Sequence, residues 1–190
     1  MLIFFDTEFT GLHKNTTLIS IGCVDENGRT FYAELSDYDR SQCNDWIKEN
    51  VIANLQFKNP SSMFKYTEGN TVIEVKGGKD YVGFMLKQWL LYYGDEPIQF
   101  VSDVCHYDMV LLIDLFGTAF DLPENVSPVC HDINQDIANY YSISDKEAFD
   151  KCREDMLDVA IDGKKHNALY DAEVIRWIYA QVINNEKPRD

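Results

Sequence analysis

Two acidic residues, Asp6 and Glu8, follow an apolar run at residues 2–5. The run is too short for a helix and is typical of a buried strand. Side chains two positions apart on a strand point to the same side, so both carboxylates face one way. A pair of metal ligands would look like this, and so would a solvated strand end, and the pair alone does not distinguish them.

Two further carboxylates, Asp108 and Asp171, stand on the apolar side of predicted helices. Each precedes aliphatic residues at helical spacing: Leu111, Leu112 and Leu115 for the first, and Val174, Ile175, Ile178 and Val182 for the second. A carboxylate facing the core costs several kcal/mol unless a positive group meets it. A buried ion pair would explain one such residue. A divalent metal cluster explains all four carboxylates, because Mg²⁺ and Mn²⁺ prefer oxygen ligands.

His166 lies five residues before Asp171. Within one regular helix the two side chains would be about 140° apart and could not share a site. We therefore expect Asn167 to be the N-cap, with His166 just outside the helix and its ring turned over the carboxylates. Taken alone, a histidine next to Lys164 and Lys165 is typical of a surface.

The elements that must position these residues alternate between strands and helices. An Asn27-Gly28 turn predicts a hairpin, so the opening of the chain should be a three-stranded, largely antiparallel unit. The pattern predicts strands at 2–5, 18–24, 30–35, 98–102 and 126–133. It predicts helices at 45–55, 79–93, 105–116 and 168–183, and a capping box at 144–147 begins another. Trp46 is assigned to the core. The result is an α/β layout with a mixed sheet, in one domain over 1–190.

Composition restricts the class of protein. With 45% hydrophobic residues the chain is neither disordered nor dependent on disulfides. Its five cysteines form no CxxC pair, and the adjacent Cys105-His106 and Cys130-His131 fit no common zinc pattern. No signal peptide or long apolar run is present, which predicts a soluble, cytoplasmic protein with no membrane contact. The net charge of −15 argues, on composition alone, against nucleic acid as a partner.

Three motifs overturn that last expectation, because their residues and order resemble the DEDDh family of 3′–5′ exonucleases. Residues 6–12 (DTEFTGL) resemble the opening DxE motif, and 103–108 resemble the second motif. Residues 166–172 (HNALYDA) match HxAxxDA, the third motif. The related subgroup with tyrosine in place of histidine would need Tyr at 167. Asp103 stands where relatives usually carry Asn, which leaves Asp114 as the alternative acid of the middle motif.

A narrower resemblance concerns residues 18–22 (LISIG) and 46–51 (WIKENV). These are similar to the small exoribonucleases typified by the mycobacterial polyadenylate-specific RNase AS. The resemblance implies a ribonuclease H-like three-layer fold, an RNA substrate and, as in many members, a homodimer.

The resemblance also implies roles for the site residues. Two divalent ions, Mg²⁺ or Mn²⁺, would bracket the terminal phosphodiester. Asp6, Glu8 and Asp171 would hold the ion that activates water, and Asp6 and Asp108 would support the second. His166 would be the general base, and nucleoside 5′-monophosphates would be released.

Substrate contacts are predicted at two places. The opening motif, through Thr7, Phe9, Thr10, Gly11 and Leu12, would hold the 3′-terminal nucleotide, with stacking and core packing equally weighted for Phe9. Residues 56–90 carry five lysines against three acidic residues. Of these lysines, Lys65, Lys76 and Lys79 are predicted to form a rim that binds the strand, although a solvated face is the default for so weak a patch.

Single-stranded RNA is favoured over DNA as the substrate. Two alternatives stay open on sequence alone. One is an exodeoxyribonuclease of the same fold. The other is a catalytically silent acidic protein that mimics a nucleic acid surface.

Overall fold

A seven-stranded mixed sheet forms the centre of the molecule. The computed structural model describes residues 1–57 and 72–183, with the backbone of 63–67. The strands are β1 (Leu2–Phe9), β2 (Leu18–Asp25), β3 (Thr30–Leu35), β4 (Met63–Thr67), β5 (Val72–Gly77), β6 (Gln99–Ser102) and β7 (His131–Asp132). Their spatial order is β4-β5-β3-β2-β1-β6-β7. β1, β2 and β3 pair antiparallel, whereas β6 runs parallel to β1.

Helices cover both faces of the sheet. They are α1 (Asp45–Asn50), α2 (Lys79–Leu90), α3 (His106–Asp114), α4 (Ile133–Tyr141), α5 (Asp145–Phe149) and α6 (Ala168–Ile178), the last continued by a π-helical turn at Tyr179–Ile183. α2 and α3 pack with Ile3 and Phe5 of β1 on one face. α4, α5 and α6 pack with Phe4 on the other. The alternation along β1 therefore divides the core into two layers of helices, giving the three-layer α/β fold expected from the resemblance.

In the described part of the chain, no helix is both long enough and apolar enough to span a membrane.

Most predicted elements are confirmed, and one is wrong. The antiparallel opening with its turn at Asn27-Gly28, the long helix from Lys79 and the capping box at Ser144 are all present. The strand predicted for 126–133 is only two residues long, because Asp132 caps α4 by accepting a hydrogen bond from the Asn134 N–H. Residues 56–78, which the sequence leaves unassigned, contain β4 and β5; 58–62 and 68–71 lie outside the described residues.

A glycine in β2 allows α6 to approach the sheet. A Cβ atom on Gly22 would lie 2.3 Å from the Leu169 nitrogen and 2.4 Å from the Ala168 carbonyl oxygen. Only a residue without a side chain fits under this first turn of α6. The close approach brings the start of α6, and with it Asp171, to the end of β1.

Candidate active site

A cavity of about 840 Å³ opens at the C-terminal end of β1. Its walls include all four predicted carboxylates and the predicted histidine: Asp6, Glu8, Asp108, Asp171 and His166. These residues come from β1, α3, the start of α6 and the loop before it. The structure thus brings together residues that are up to 165 positions apart in the sequence.

Along β1, the side chains of Asp6 and Glu8 point to one face of the sheet, and that of Thr7 between them points to the other. Asp6 and Glu8 alternate with Thr7, so they lie on the face that packs against α6, and Thr7 lies on the face of α3. The Thr7 backbone N–H and hydroxyl both donate to Asp108 Oδ1, at 3.0 and 2.6 Å. Thr7, predicted to touch substrate, is almost fully buried but does line the cavity, and its hydroxyl is engaged by the Asp108 carboxylate.

The carboxylates disfavour one another's charge. Burial, followed by the charges of neighbouring carboxylates with Asp171 first, raises the pKa of Asp6 well above its ordinary value. Burial and the charges of Asp171 and Asp108 raise the pKa of Glu8 to about 8. Burial raises the pKa of Asp171 to about 7. It raises that of Asp108 to about 6, against the lowering effect of its Thr7 hydrogen bonds. A site built in this way holds acids that ionise fully only when positive charge is supplied.

The donor set fits a divalent metal ion. Ligand atoms of Glu8, His166 and Asp171 lie within 4.8 Å of one another. Among the described residues, Asp171 Oδ2 is buried without a hydrogen-bond partner, which leaves an acceptor free for a cation. Clustered carboxylate oxygens are the ligands of Mg²⁺ and Mn²⁺.

His166 is held outside α6, as predicted from the sequence. Asn167 is the N-cap and accepts a hydrogen bond from the Tyr170 N–H. His166 adopts a positive φ of 62°, and its Nδ1 lies 3.9 Å from Glu8 Oε1. Burial and the nearby Lys165 lower the pKa of the imidazole from 6.5. The ring is therefore neutral at physiological pH and can accept a proton.

A pair of side-chain to backbone hydrogen bonds brackets His166 from both sides. Asn54, in the 3₁₀ turn after α1, donates through Nδ2 to the Lys165 carbonyl at 3.0 Å, and Asn167 Nδ2 donates to the Asn54 carbonyl at 3.1 Å. The Trp46 ring meets the imidazole edge to face at 5.0 Å. Trp46 is 54% exposed, so its assignment to the core is wrong: it lies on the cavity wall instead.

An ion pair fixes the middle motif, and a second ion pair engages its alternative acid outside the cavity. Asp103 is bound by the Arg153 guanidinium through two hydrogen bonds, of 2.6 Å from Nε and 2.9 Å from Nη2. Both residues line the cavity, so the acid that stands where relatives usually carry Asn has its own counter-charge. The alternative acid, Asp114, pairs with Lys79 at 2.6 Å and does not line the cavity. Asp108 is the acid that joins the cluster.

The opening motif contributes to the cavity in part. Phe9, Gly11 and Leu12 line it, and the Phe9 ring stacks on Tyr107 with centroids 5.3 Å apart. Phe9 also packs on the edge of the core, which confirms the packing role, whereas stacking on a nucleotide stays a prediction. Thr10 is buried and bonded through its hydroxyl to Gln42, which places it beneath the cavity rather than in it.

Two of the three lysines predicted to form the rim have other partners in the structure. Lys76 donates to the buried Glu34 carboxylate and the Phe57 carbonyl, at 2.9 and 2.8 Å, so its ammonium is not available to a phosphate. Lys79 is paired with Asp114 away from the cavity. The side chain of Lys65 lies outside the described residues. The pairing of Lys76 with Glu34 depends on neighbouring strands, which charge counting along the sequence does not detect.

Several cavity residues were not predicted to be site residues. They come from α1, α3 and the segment that follows α5: Trp46, Tyr107, Phe149, Lys151 and Arg153. Aromatic and basic side chains around a carboxylate cluster are the groups that hold a nucleotide chain. Their positions depend on long-range packing, so no spacing rule could have found them.

Comparison with known proteins agrees with this geometry. Residues 1–183 match the family model described as "3'-5' exoribonuclease Rv2179c-like domain". Two relatives from Mycobacterium tuberculosis are similar over 135 residues at 28% identity, which covers 71% of this chain and 73% of each relative. They are named 3'-5' exoribonuclease Rv2179c (strain H37Rv) and 3'-5' exoribonuclease MT2234.1 (strain CDC 1551).

Solved structures show the same fold at low identity. The nuclease domain of 3'hExo, a DEDDh family member bound to rAMP, superposes with a TM-score of 0.61 at 12% identity, over 100% of this chain and 94% of that one. A 3'-exonuclease solved with a histone mRNA stem-loop gives 0.62 at 14% identity, over 97% of this chain and 63% of that one.

Proposed function

Since the chain belongs to the Rv2179c-like 3'-5' exoribonuclease domain family, we propose that the cavity removes nucleotides one at a time from the 3′ end of single-stranded RNA. The activity is that of a 3′–5′ exoribonuclease, a hydrolase that releases nucleoside 5′-monophosphates. The observation that carries the assignment is the meeting of four carboxylates and a neutral histidine in one cavity at the end of β1.

The carboxylates would hold two divalent ions, Mg²⁺ or Mn²⁺. Asp6, Glu8 and Asp171 would ligate the first, and Asp6 and Asp108 the second. When bound, the ions supply Lewis acidity toward water and the phosphate oxygens. The Thr7 hydrogen bonds keep Asp108 in place and favour its ionised form.

His166 would move the proton of the reaction. A water oxygen bonds to the phosphorus of the terminal phosphodiester, and the bond from phosphorus to the 3′ oxygen of the preceding nucleotide breaks. The water proton passes to the imidazole nitrogen that faces the carboxylates, which is Nδ1 here, and the departing 3′ oxygen takes a proton from solvent. The lowered pKa of His166 supports this role, because the ring is free to accept at neutral pH.

Phe9 and Tyr107 would contact the base of the 3′-terminal nucleotide. Their stacked rings line the cavity next to Glu8, and base stacking on aromatic rings is a common way of holding single strands. The preference for RNA would depend on contacts to the 2′ hydroxyl, and the homodimer implied by the resemblance stays a prediction for sedimentation analysis.

The test uses 5′-labelled single-stranded RNA and DNA of the same sequence, with Mg²⁺ or Mn²⁺. We expect stepwise shortening of the RNA from its 3′ end, faster than that of the DNA, and loss of both with EDTA or in Asp6→Asn. Faster shortening of the DNA would favour the exodeoxyribonuclease alternative. A wild-type protein that binds metal but shortens neither polymer would contradict the proposal.

A further inference from the structure

A strip of exposed side chains continues from the cavity onto the hairpin of α4 and α5. We define this α4–α5 strip by Phe149, Lys151, Tyr141 and Tyr140. The three aromatic side chains are 59%, 41% and 54% exposed for Phe149, Tyr141 and Tyr140. Large apolar surface left in contact with water at one place indicates a binding surface.

The strip is continuous with the cavity. Phe149 and Lys151 line the cavity that contains the carboxylates. The Lys151 Nζ lies 4.9 Å from the centroid of the Tyr141 ring, and the rings of Tyr141 and Tyr140 are 5.0 Å apart. A path of aromatic and basic groups therefore leads from the reacting end of the cavity to the C-terminal end of α4.

The backbone of the hairpin holds the strip in place. Ser142 ends α4 in the left-handed conformation, and the Ser144–Glu147 capping box begins α5 three residues after α4 ends. Arg153 donates to the carbonyls of Ala148 and Lys151 while it binds Asp103. The strip is thereby connected to the middle motif of the site.

We propose that the α4–α5 strip binds the nucleotides that precede the 3′-terminal one in a single-stranded RNA. Their bases stack on Phe149 and Tyr141, and Lys151 meets the phosphate between them. The inference rests on the proposed exoribonuclease function and adds the direction in which the strand leaves the cavity.

Charge explains why stacking has to carry most of this binding. Lys151 forms no ion pair with a described residue, whereas Arg153 is paired with Asp103 and Lys165 with Glu154. A single unpaired cation in the strip, on a protein of net charge −15, gives little attraction for a phosphate chain. Aromatic rings bind any unpaired base, because every base has a π-face. A duplex hides those faces, so the strip selects unpaired RNA.

The experiment compares two substrates, a ribodinucleotide and a ribodecamer, by their kcat/KM values. Only the decamer extends to Tyr141, because the dinucleotide has a single nucleotide before its 3′-terminal one. The ratio of the two values therefore isolates this part of the strip from the chemical step. We expect Tyr141→Ala to lower the decamer-to-dinucleotide ratio about tenfold, the size typical of one lost stacking contact. Tyr141→Phe keeps the ring and should keep the ratio.

Phe120→Ala is the matched control, since Phe120 is a fully exposed aromatic residue that does not line the cavity. It should leave the ratio within twofold of wild type. Lys151→Ala should reduce the slope of log kcat/KM for the decamer against log salt by about 0.7, the value for one contact to a single-stranded phosphate.

The proposal is overturned if Tyr141→Ala leaves the decamer-to-dinucleotide ratio unchanged, or if Phe120→Ala lowers it equally. Fluorescence anisotropy of a labelled decamer with Asp6→Asn and with Asp6→Asn/Tyr141→Ala measures the strip without cleavage, so a failure of the exoribonuclease assignment is seen separately. Equal RNA affinity of these two proteins, together with a change of oligomeric state in Tyr141→Ala, would mean that the strip binds a second copy of the chain and would overturn the proposal.

Discussion

At the residue scale, Asp6 shows how function and stability oppose each other in the metal-free protein. Burial and four neighbouring carboxylates are the largest influences on its pKa, and all of them raise it. Charged Asp6 therefore destabilises the folded state wherever no cation is bound.

We expect Asp6→Asn to abolish hydrolysis and to raise the melting temperature in EDTA at pH 8 by several degrees, on the order of 1–2 kcal/mol. The amide keeps the size of the side chain and removes the repulsion. At pH 5 the gain should be smaller, because the raised pKa of Asp6 favours its neutral form as the pH falls. Calorimetry at both pH values checks this, with the exposed Asp95→Asn as control. An equal change at pH 5 and pH 8 would contradict it.

His166 gives the second prediction at this scale. Because its pKa is lowered below 6.5, the wild-type kcat should stay level from pH 8 down to about pH 6.5 and then fall as the ring takes a proton. His166→Gln should lower kcat by roughly 10²- to 10⁴-fold with a small change in KM, and the acid limb that belongs to the imidazole should vanish. The profiles are measured at saturating Mn²⁺. A variant that keeps the wild-type profile would show that another group is the base.

At the element scale, the site depends on how closely α6 approaches β2. A Cβ atom at position 22 would meet backbone atoms of Ala168 and Leu169 at 2.3–2.4 Å, and backbone cannot rotate away as a side chain can. We expect Gly22→Ala to lower the free energy of unfolding by about 3 kcal/mol. It should also reduce activity in the fraction that stays folded, because Asp171 moves with α6. Gly78→Ala is the control, since its Cβ would meet only the flexible Asp37 carboxylate at 3.1 Å. Equal stability of the two variants in urea titrations would refute this account.

Asn54, in the turn after α1, positions His166, the proposed base. This contact gives a prediction that differs from simple loss of the fold. Asn54→Ala removes the donor to the Lys165 carbonyl and loosens the strained backbone of His166. We expect kcat to fall about tenfold while KM and the metal affinity change little. In a His166→Ala background the same substitution should have no further effect on kcat, as a double-mutant cycle would show. Additive losses in that cycle would assign Asn54 a role independent of His166.

The elements also show what the sequence could and could not predict. Asp108 and Asp171 could be predicted as site residues because each places a carboxylate on the apolar face of a helix. His166 could be predicted because five residues of regular helix would turn it away from Asp171, so it had to lie outside the helix. α4 was missed although Asp132 caps it and Ile133 and Ile137 have helical spacing, since the apolar residues before it favoured a strand. The pattern around Trp46 predicted the wrong place for its side chain, and Arg153 gave no local signal. Each acquires its place from a partner more than 45 positions away, and such a pairing is set by packing.

At the scale of the whole molecule, the carboxylate cluster links stability to pH. Folding raises the pKa of Glu8 to about 8 and of Asp171 to about 7, from ordinary values near 4 in the unfolded chain. Between about pH 4 and pH 8 the folded state therefore binds more protons than the unfolded state. Its stability must fall as the pH rises through that window. The net charge of −15 acts in the same direction, because self-repulsion grows as acids ionise.

Divalent metal should reverse this trend, and it provides the last prediction. In EDTA we expect the melting temperature to fall by roughly 10 °C between pH 5 and pH 8, the effect of about 3 kcal/mol on a chain of this size. Saturating Mn²⁺ should restore most of that loss at pH 8 and have little effect at pH 5, because ions compete with protons for Asp6, Glu8 and Asp171. The same competition requires that metal binding near pH 7 releases protons, which titration calorimetry in two buffers of different ionisation enthalpy measures directly.

Asp114→Asn, which alters an acid outside the cavity, should retain the metal effect. A metal-induced rise in melting temperature that is as large at pH 5 as at pH 8 would mean that the ions bind elsewhere than at the cluster.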